Sequence, residues 1–122
     1  MELKLVVEAR FLCAVCGKEA GQVALYRDSA RTEIRRRSFT SELTLTITAL
    51  NFKRIERAIS AGDVLAVHAM DPEIASFYCP VCHAIYCEDH WTTWDVFDED
   101  EPSWHDSIRG RCPQGHERML ED

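Results

Sequence analysis

Six cysteines and two of the five histidines of this 122-residue chain fall into short-spaced pairs. Cys13 and Cys16 are separated by two residues, as are Cys79 and Cys82. His90 follows Cys87 at the third residue, and His116 follows Cys112 at the fourth. Thiolate and neutral imidazole are ligands of tetrahedral zinc. A Cys-x-x-Cys turn lets both sulfurs point into one coordination sphere while backbone N–H groups face them. Four pairs supply eight donors and leave no cysteine over, so the expected cofactor is two structural Zn2+ ions. Spacing leaves two combinations open. Joined in order, Cys13, Cys16, Cys79 and Cys82 share one metal, and Cys87, His90, Cys112 and His116 the other. Interleaved, Cys13, Cys16, Cys87 and His90 form site 1, while Cys79, Cys82, Cys112 and His116 form site 2.

Other chemistries explain less. Cys79-Pro80-Val81-Cys82-His83 matches the haem-attachment pattern, but that reading needs an export route and leaves the other pairs unexplained. A redox dithiol would require the same turn at a helix N-terminus. His68, His83 and His105 have no partner at ligand spacing and read as surface or hydrogen-bonded histidines. Glu88 and Asp89 lie inside the third pair, yet eight sulfur and imidazole donors already close both sites, and a closed site has no open position to activate water. There is no nucleophile–base motif, no phosphate-cradling glycine loop and no His-Glu-x-x-His. No catalytic residue is assigned, and intrinsic catalysis is not expected.

The elements that must position these pairs follow from periodicity. Leu3, Leu5 and Val7 predict a strand leading into the first pair, and 21–27 predicts a second one ending at a turn over Asp28-Ser29. Leu43, Leu45 and Ile47 alternate with Thr44, Thr46 and Thr48 in the clearest period-two signal, after an extended segment with Ile34 and Phe39. The period then changes. Asn51 can cap a helix with Phe52, Ile55 and Ile59 on one face and Gly62 at its end, and Asp63 can cap a second, closed by Asp71-Pro72. The stretch 91–104 reads as an acidic, aromatic surface loop. The expected organisation is one α+β domain over 1–122, with ligand core 11–18 and 77–118 and a β-rich and helical insertion, 19–76.

The formal net charge of −7 becomes −9 once six thiolates and two Zn2+ are included. So acidic a chain is repelled by phosphate backbones, which points to protein partners rather than nucleic acid. The competing reading is a nucleic-acid-binding finger using a patch of Arg31 and Arg35–Arg37. No run of about 18 apolar residues occurs, and the N-terminus lacks the order of a secretory signal, so the expected location is the cytoplasm, with no membrane partner.

The run Cys79-x-x-Cys82-x4-Cys87-x-x-His90 resembles the central run of the cross-brace zinc fingers, the FYVE, ZZ and RING group. In that group alternate pairs share a metal, so the resemblance implies the interleaved sites and a small RING-like or treble-clef-like core. Val15 just before the second ligand, Trp104 eight residues before Cys112, and Pro113 just after it also resemble RING features, where such positions help form the groove that receives a ubiquitin-conjugating enzyme. The second pair here is Cys-x-x-Cys, the last is Cys-x-x-x-His, and 62 residues separate the first two pairs. The resemblance therefore implies the fold more than ligase activity. A FYVE-type lipid reader is less similar, because Glu73-Ile74-Ala75-Ser76-Phe77-Tyr78 stands where its basic cluster would be. The resulting expectation is a non-enzymatic, zinc-stabilised protein-interaction module. Its pointed variant is a RING-like adaptor for the conjugating enzyme of a ubiquitin-like system. Its recognition surface is expected at 91–108, where Trp94, Phe97 and Trp104 interleave with Asp95, Asp98, Glu99, Asp100 and Glu101, joined by Val15 and Pro113.

Overall fold

A computed structural model describes residues 3–97, 99–101 and 105–122. Its first sheet is an antiparallel meander of β1 (Lys4–Leu12), β2 (Glu19–Arg27), β3 (Thr32–Ser38) and β4 (Glu42–Ile47), paired in that order. Alternation decides the faces. Val23 and Leu25 on β2 and Ile34 on β3 are buried beneath the sheet, whereas Arg35 and Thr44, a directly paired couple, lie exposed on the outer face. The β2–β3 turn is closed by Asp28, whose carboxylate accepts from the backbone N–H of Ala30 (2.7 Å) and Arg31 (2.8 Å). Those two bonds hold its pKa below the ordinary value.

After a single 3-10 turn, helix α1 (Phe52–Ser60) lays Phe52, Ile55, Ala58 and Ile59 on the underside of β1 and β2. Asn51 occupies the N-cap position, but its side chain makes no capping bond and instead donates weakly to the Thr48 hydroxyl (3.4 Å). Gly62, with φ at 64°, lets the chain leave the helix. Helix α2 (Val64–Met70) starts as the sequence suggests, with the Asp63 carboxylate accepting from Ala66 N–H at 3.1 Å.

The remaining strands form two small sheets. β5 (Tyr78–Cys79) and β6 (Ala84–Ile85) make a short hairpin. β7 (Thr92–Phe97), β8 (His105–Arg111) and β9 (Glu117–Glu121) make a three-stranded antiparallel sheet in that order. The expected loop over 91–104 is therefore, through Phe97, an edge strand. Thr, Trp, Val and Phe suit a pleated surface, and Trp94 and Val96 alternate inward between exposed neighbours. The described residues thus compose a small mixed α+β fold, and none of their helices is long and apolar enough to cross a membrane.

A continuous cluster of buried side chains joins these parts and includes Cys13, Cys79, Cys87 and Cys112 beside Phe11, Leu25, Ile59, Phe77, Trp91 and Leu120. Phe77 stacks on Phe11 with ring centroids 5.3 Å apart, and its ring edge lies against Gly21, where an added Cβ would collide with it. Phe77 is fully buried and cannot swing away. Gly21→Ala is therefore expected to lower stability by ~1–3 kcal/mol through overpacking, read from denaturant unfolding of the metal-loaded protein. An unchanged unfolding midpoint would mean that this junction yields.

Candidate metal centres

Each cysteine–histidine pair occupies a turn that its flanking elements impose. Cys13 and Cys16 form the connection of the β1–β2 hairpin. Cys13 C=O accepts from Gly17 N–H at 2.9 Å, and Gly17 takes φ of 77°, so that the chain can reverse into β2. Cys79 and Cys82 build the equivalent turn between β5 and β6, where His83 takes the left-handed position at φ of 56°. His83 Nδ1 is 3.3 Å from the Tyr78 hydroxyl, a local role in keeping with a non-ligand. Cys87 C=O accepts from the N–H groups of His90 and Trp91, which curls the third pair into a single turn. The fourth pair lies in the β8–β9 connection, closed by Cys112 N–H donating to His116 C=O (2.9 Å), with Gly115 at φ of 91°.

The folded chain gathers these turns crosswise. Cys13, Cys16, Cys87 and His90 converge in one cluster, and Cys79, Cys82, Cys112 and His116 in another, with the donor atoms of each within 4.8 Å of one another. In the first, Cys16 Sγ is 3.6 Å from Cys87 Sγ, and His90 Nδ1 lies 3.5 Å from Cys13 Sγ and 3.4 Å from Cys87 Sγ. In the second, Cys82 Sγ is 3.7 Å from Cys112 Sγ. There His116 Nδ1 lies 3.8, 3.2 and 3.4 Å from the sulfurs of Cys79, Cys82 and Cys112. A tetrahedron with Zn–S of about 2.3 Å and Zn–N of about 2.0 Å has S–S edges of about 3.8 Å and S–N edges of about 3.5 Å. Donor type and spacing in both clusters therefore fit a tetrahedral ion such as zinc, bound through Nδ1 of each histidine.

The surroundings favour anionic sulfur. Val15 N–H faces Cys13 Sγ, Cys82 N–H faces Cys79 Sγ, and His116 N–H faces Cys112 Sγ, each at 3.4 Å. Burial pushes the Cys13 thiol up, but the backbone N–H groups of Cys16, Cys87 and Val15 outweigh it and bring the pKa down to about 6. In the second cluster burial is likewise outweighed at Cys112, chiefly by the N–H groups of His116 and Gln114, and its pKa falls to about 7. Burial prevails at Cys79 and Cys87, whose thiols are pushed up. The Tyr86 hydroxyl turns to Cys82 sulfur, and that contact raises its own pKa. Each cluster so pairs a thiol drawn below its ordinary pKa with one pushed above it.

Side chains outside the ligand set lock the turns together. Lys18 Nζ reaches Glu88 (2.9 Å) and Asp89 (3.3 Å), which ties the first turn to the third and occupies both carboxylates. Ala14 N–H donates to Ile85 C=O at 2.8 Å. Trp91, buried against Tyr86, donates its indole N–H to Phe77 C=O (3.2 Å). The guanidinium of Arg118, two residues past His116, donates to the carbonyls of Pro72 (3.1 Å), Ala75 (3.1 Å) and Tyr78 (2.6 Å), gripping the segment that enters Cys79.

The other candidate residues are scattered. Val15 is 58% exposed at the tip of the first turn and Pro113 is exposed beside Cys112. Trp94 is half-buried on β7 with Arg111 over its ring at 5.9 Å, and Phe97 is exposed at the strand's end. Trp104 and Asp98 lie outside the described residues. Of the four arginines Arg36 leaves the surface, which corrects that part of the nucleic-acid reading, while Arg31, Arg35 and Arg37 stay exposed. Strand alternation turns Arg36 inward, where it is 1% exposed and donates to Glu73 C=O, Ser38, Thr40 and Ser41 C=O. Arg31 and Arg35 both pair with Glu33, and Arg37 with Gln22.

Comparison with curated proteins and with solved structures finds no match. A family described as Domain of unknown function (DUF8328) matches residues 3–122, and the chain belongs to it.

Proposed function

We propose that the protein is a non-enzymatic protein-interaction module whose cross-brace core is pinned by two structural zinc ions. The carrying observation is the pair of crosswise Cys3His clusters, each with four sulfur or imidazole donors at tetrahedral edge lengths. Four such donors complete the coordination of zinc, which supplies fold stability and leaves no site for substrate. The nearest carboxylates, Glu88 and Asp89, are engaged by Lys18.

A module of this kind acts through what its turns display. Val15 and Val81 stand at the tips of the two Cys-x-x-Cys turns, 58% and 62% exposed, and Phe97 is 52% exposed at the end of β7. Apolar side chains held in water by a rigid turn are suited to anchor a protein partner at low entropic cost. Val15 beside the second ligand and Pro113 beside Cys112 favour the adaptor variant, with the conjugating enzyme of a ubiquitin-like system as partner.

Affinity capture from source cells, comparing wild type with Val15→Ala and Phe97→Ala, tests the module reading, and titration with a conjugating enzyme tests the variant. A partner should be recovered about tenfold less by at least one substituted protein, the change expected from losing an interface anchor. Equal recovery by all three proteins would remove this surface from the reading. Binding of the captured partner without binding of any conjugating enzyme would remove the adaptor variant alone.

A further inference from the structure

β4 is the outer strand of the four-stranded sheet. Natural sheet edges are ordinarily blunted by bulges, proline or lysine, because unpaired N–H and C=O groups template further pairing. The opposite edge, β1, shows this: its register shifts between Leu5 and Val7 and again between Phe11 and Leu12. β4 has no such device. It pairs with β3 without any register shift, and between Leu43 and Thr48 it carries no charge, no proline and no glycine.

The phase of the β3–β4 hairpin determines which groups face out. Ser38 N–H donates to Ser41 C=O, and hydrogen-bonded pairs recur at every second residue of an antiparallel ladder. Leu43, Leu45 and Ile47 therefore direct their backbone groups to β3, while Glu42, Thr44 and Thr46 direct theirs outward. The side chains separate by the same alternation. Leu43, Leu45 and Ile47 are half-buried on the inner face, and the threonines are exposed on the outer face. Leu45 and Ile47 line a groove of about 330 Å³ with Ile55, Met70 and Ile74, to which Asn51, Arg54 and Asp71 add polar groups. Just beyond the strand Leu50 is 94% exposed.

We infer that β4 pairs antiparallel with β4 of a second copy of this chain about a two-fold axis at Leu45, joining two four-stranded sheets into one of eight strands. A two-fold contact requires that a residue meeting another be met by it in return, and the run Glu42-Leu43-Thr44-Leu45-Thr46-Ile47-Thr48 reads alike from either end. Centred on Leu45, Thr44 faces Thr46 of the other copy, and these are residues whose backbone groups point outward. Leu45 faces Leu45 and Leu43 faces Ile47 in the close, non-hydrogen-bonded positions, extending the apolar row across the axis. The one charge, Glu42, falls opposite Thr48 rather than opposite itself. A single pair of edge strands buries less than a standard interface, so association is weak and depends on concentration.

Light scattering and sedimentation of the full, zinc-loaded chain across a concentration series test the inference, with amide hydrogen exchange as the positional readout. The expected result is a rise from one to two chain masses, with the Thr44 and Thr46 amides becoming protected as concentration rises. The Leu45 amide, already bonded to β3, stays protected throughout. Thr44→Pro removes an outward N–H that β3 does not use, and should weaken the dimer about tenfold or more. Should that variant misfold, the double change Thr44→Lys with Thr46→Lys leaves the backbone intact and sets lysines opposite one another across the axis. A monomer at every concentration, a dimer unaffected by the lysine pair, or fast exchange at Thr44 and Thr46 in the dimer would each overturn it.

Discussion

Stripped of metal by a chelator, the zinc-loaded protein is expected to unfold rather than to loosen locally. Structural zinc in small domains contributes about 10–16 kcal/mol of apparent binding free energy at neutral pH, against net stabilities of ~5–15 kcal/mol for ordinary domains. Four of the six ligand sulfurs belong to the same buried cluster as Phe11, Leu25 and Phe77, so loss of the ions reaches the sheet core. Sulfurs 3.6 and 3.7 Å apart face one another within each cluster. Backbone N–H groups draw the Cys13 thiol to about 6 and the Cys112 thiol to about 7, so each cluster holds an anionic sulfur for a cation to meet. The linkage sign follows. Cys13 is depressed from its ordinary 9.0 to about 6, so its ionisation stabilises the fold fully above 9.0, and that support is lost as pH falls through about 6. Acid and chelator act in the same direction.

Mass spectrometry of the native protein should find about two zinc ions per chain, and circular dichroism should report collapse on chelation. Cys87→Ser sharpens the test. It removes a fully buried ligand of the first cluster, so Cys13 and Cys16 should become alkylatable while Cys79, Cys82 and Cys112 stay protected. Alkylation of Cys112 in its place would mean that the pairs combine otherwise in solution.

The second large effect is expected at Arg118. Its guanidinium serves the carbonyls of Pro72, Ala75 and Tyr78 at once, a fork that no other side chain reproduces. Arg118→Met takes the charged donor from all three carbonyls, of which Ala75 keeps a bond from Tyr78 N–H (3.0 Å), and each bond from a charged group contributes about 1.5–3 kcal/mol. Since such terms do not add fully, a loss of ~3–5 kcal/mol is expected in denaturant unfolding of the zinc-loaded protein. Metal at the second cluster should also leave faster, because the grip sets the approach to Cys79. Arg118→Lys should recover only a part, as a point charge reaches fewer carbonyls. Full recovery by lysine would mean that charge alone matters, and an unchanged metal off-rate would separate the grip from the site.

The residues of the two donor clusters were legible because cysteine and histidine recurring at short spacing suit metal binding and little else. Leu43, Leu45 and Ile47 likewise announced their strand by alternation alone. How the pairs combine was not legible from spacing, since either combination supplies two tetrahedra. Only long-range folding brings Cys16 to Cys87 across 71 residues. Arg36 illustrates a different limit. Three consecutive arginines look like a solvated charge run, yet Ile34 on the same strand faces inward, and strand periodicity sends Arg36 after it. That signal was present and is outvoted only by charge. Arg118 has no comparable sign, because its partners are backbone carbonyls up to 46 residues away. The β7–β9 sheet was obscured by its acidic flank, although Trp94 and Val96 alternate with exposed residues.

The crosswise joining of the turns also orders events in time. A chain made at about 5–20 residues per second completes its first Cys-x-x-Cys turn long before the partner of that turn exists. With Cys87 placed 71 positions after Cys16, the first half-site waits about 4–14 seconds as an open pair of thiols. The second turn is itself made before the first site can close, so for a short interval the growing chain presents both Cys-x-x-Cys turns and neither histidine. A metal that captured those two turns together would hold the sequential combination. Metal capture on the growing chain would therefore be a competition, won for the crosswise clusters when Cys87 and His90 emerge close behind Cys82 and claim the first turn.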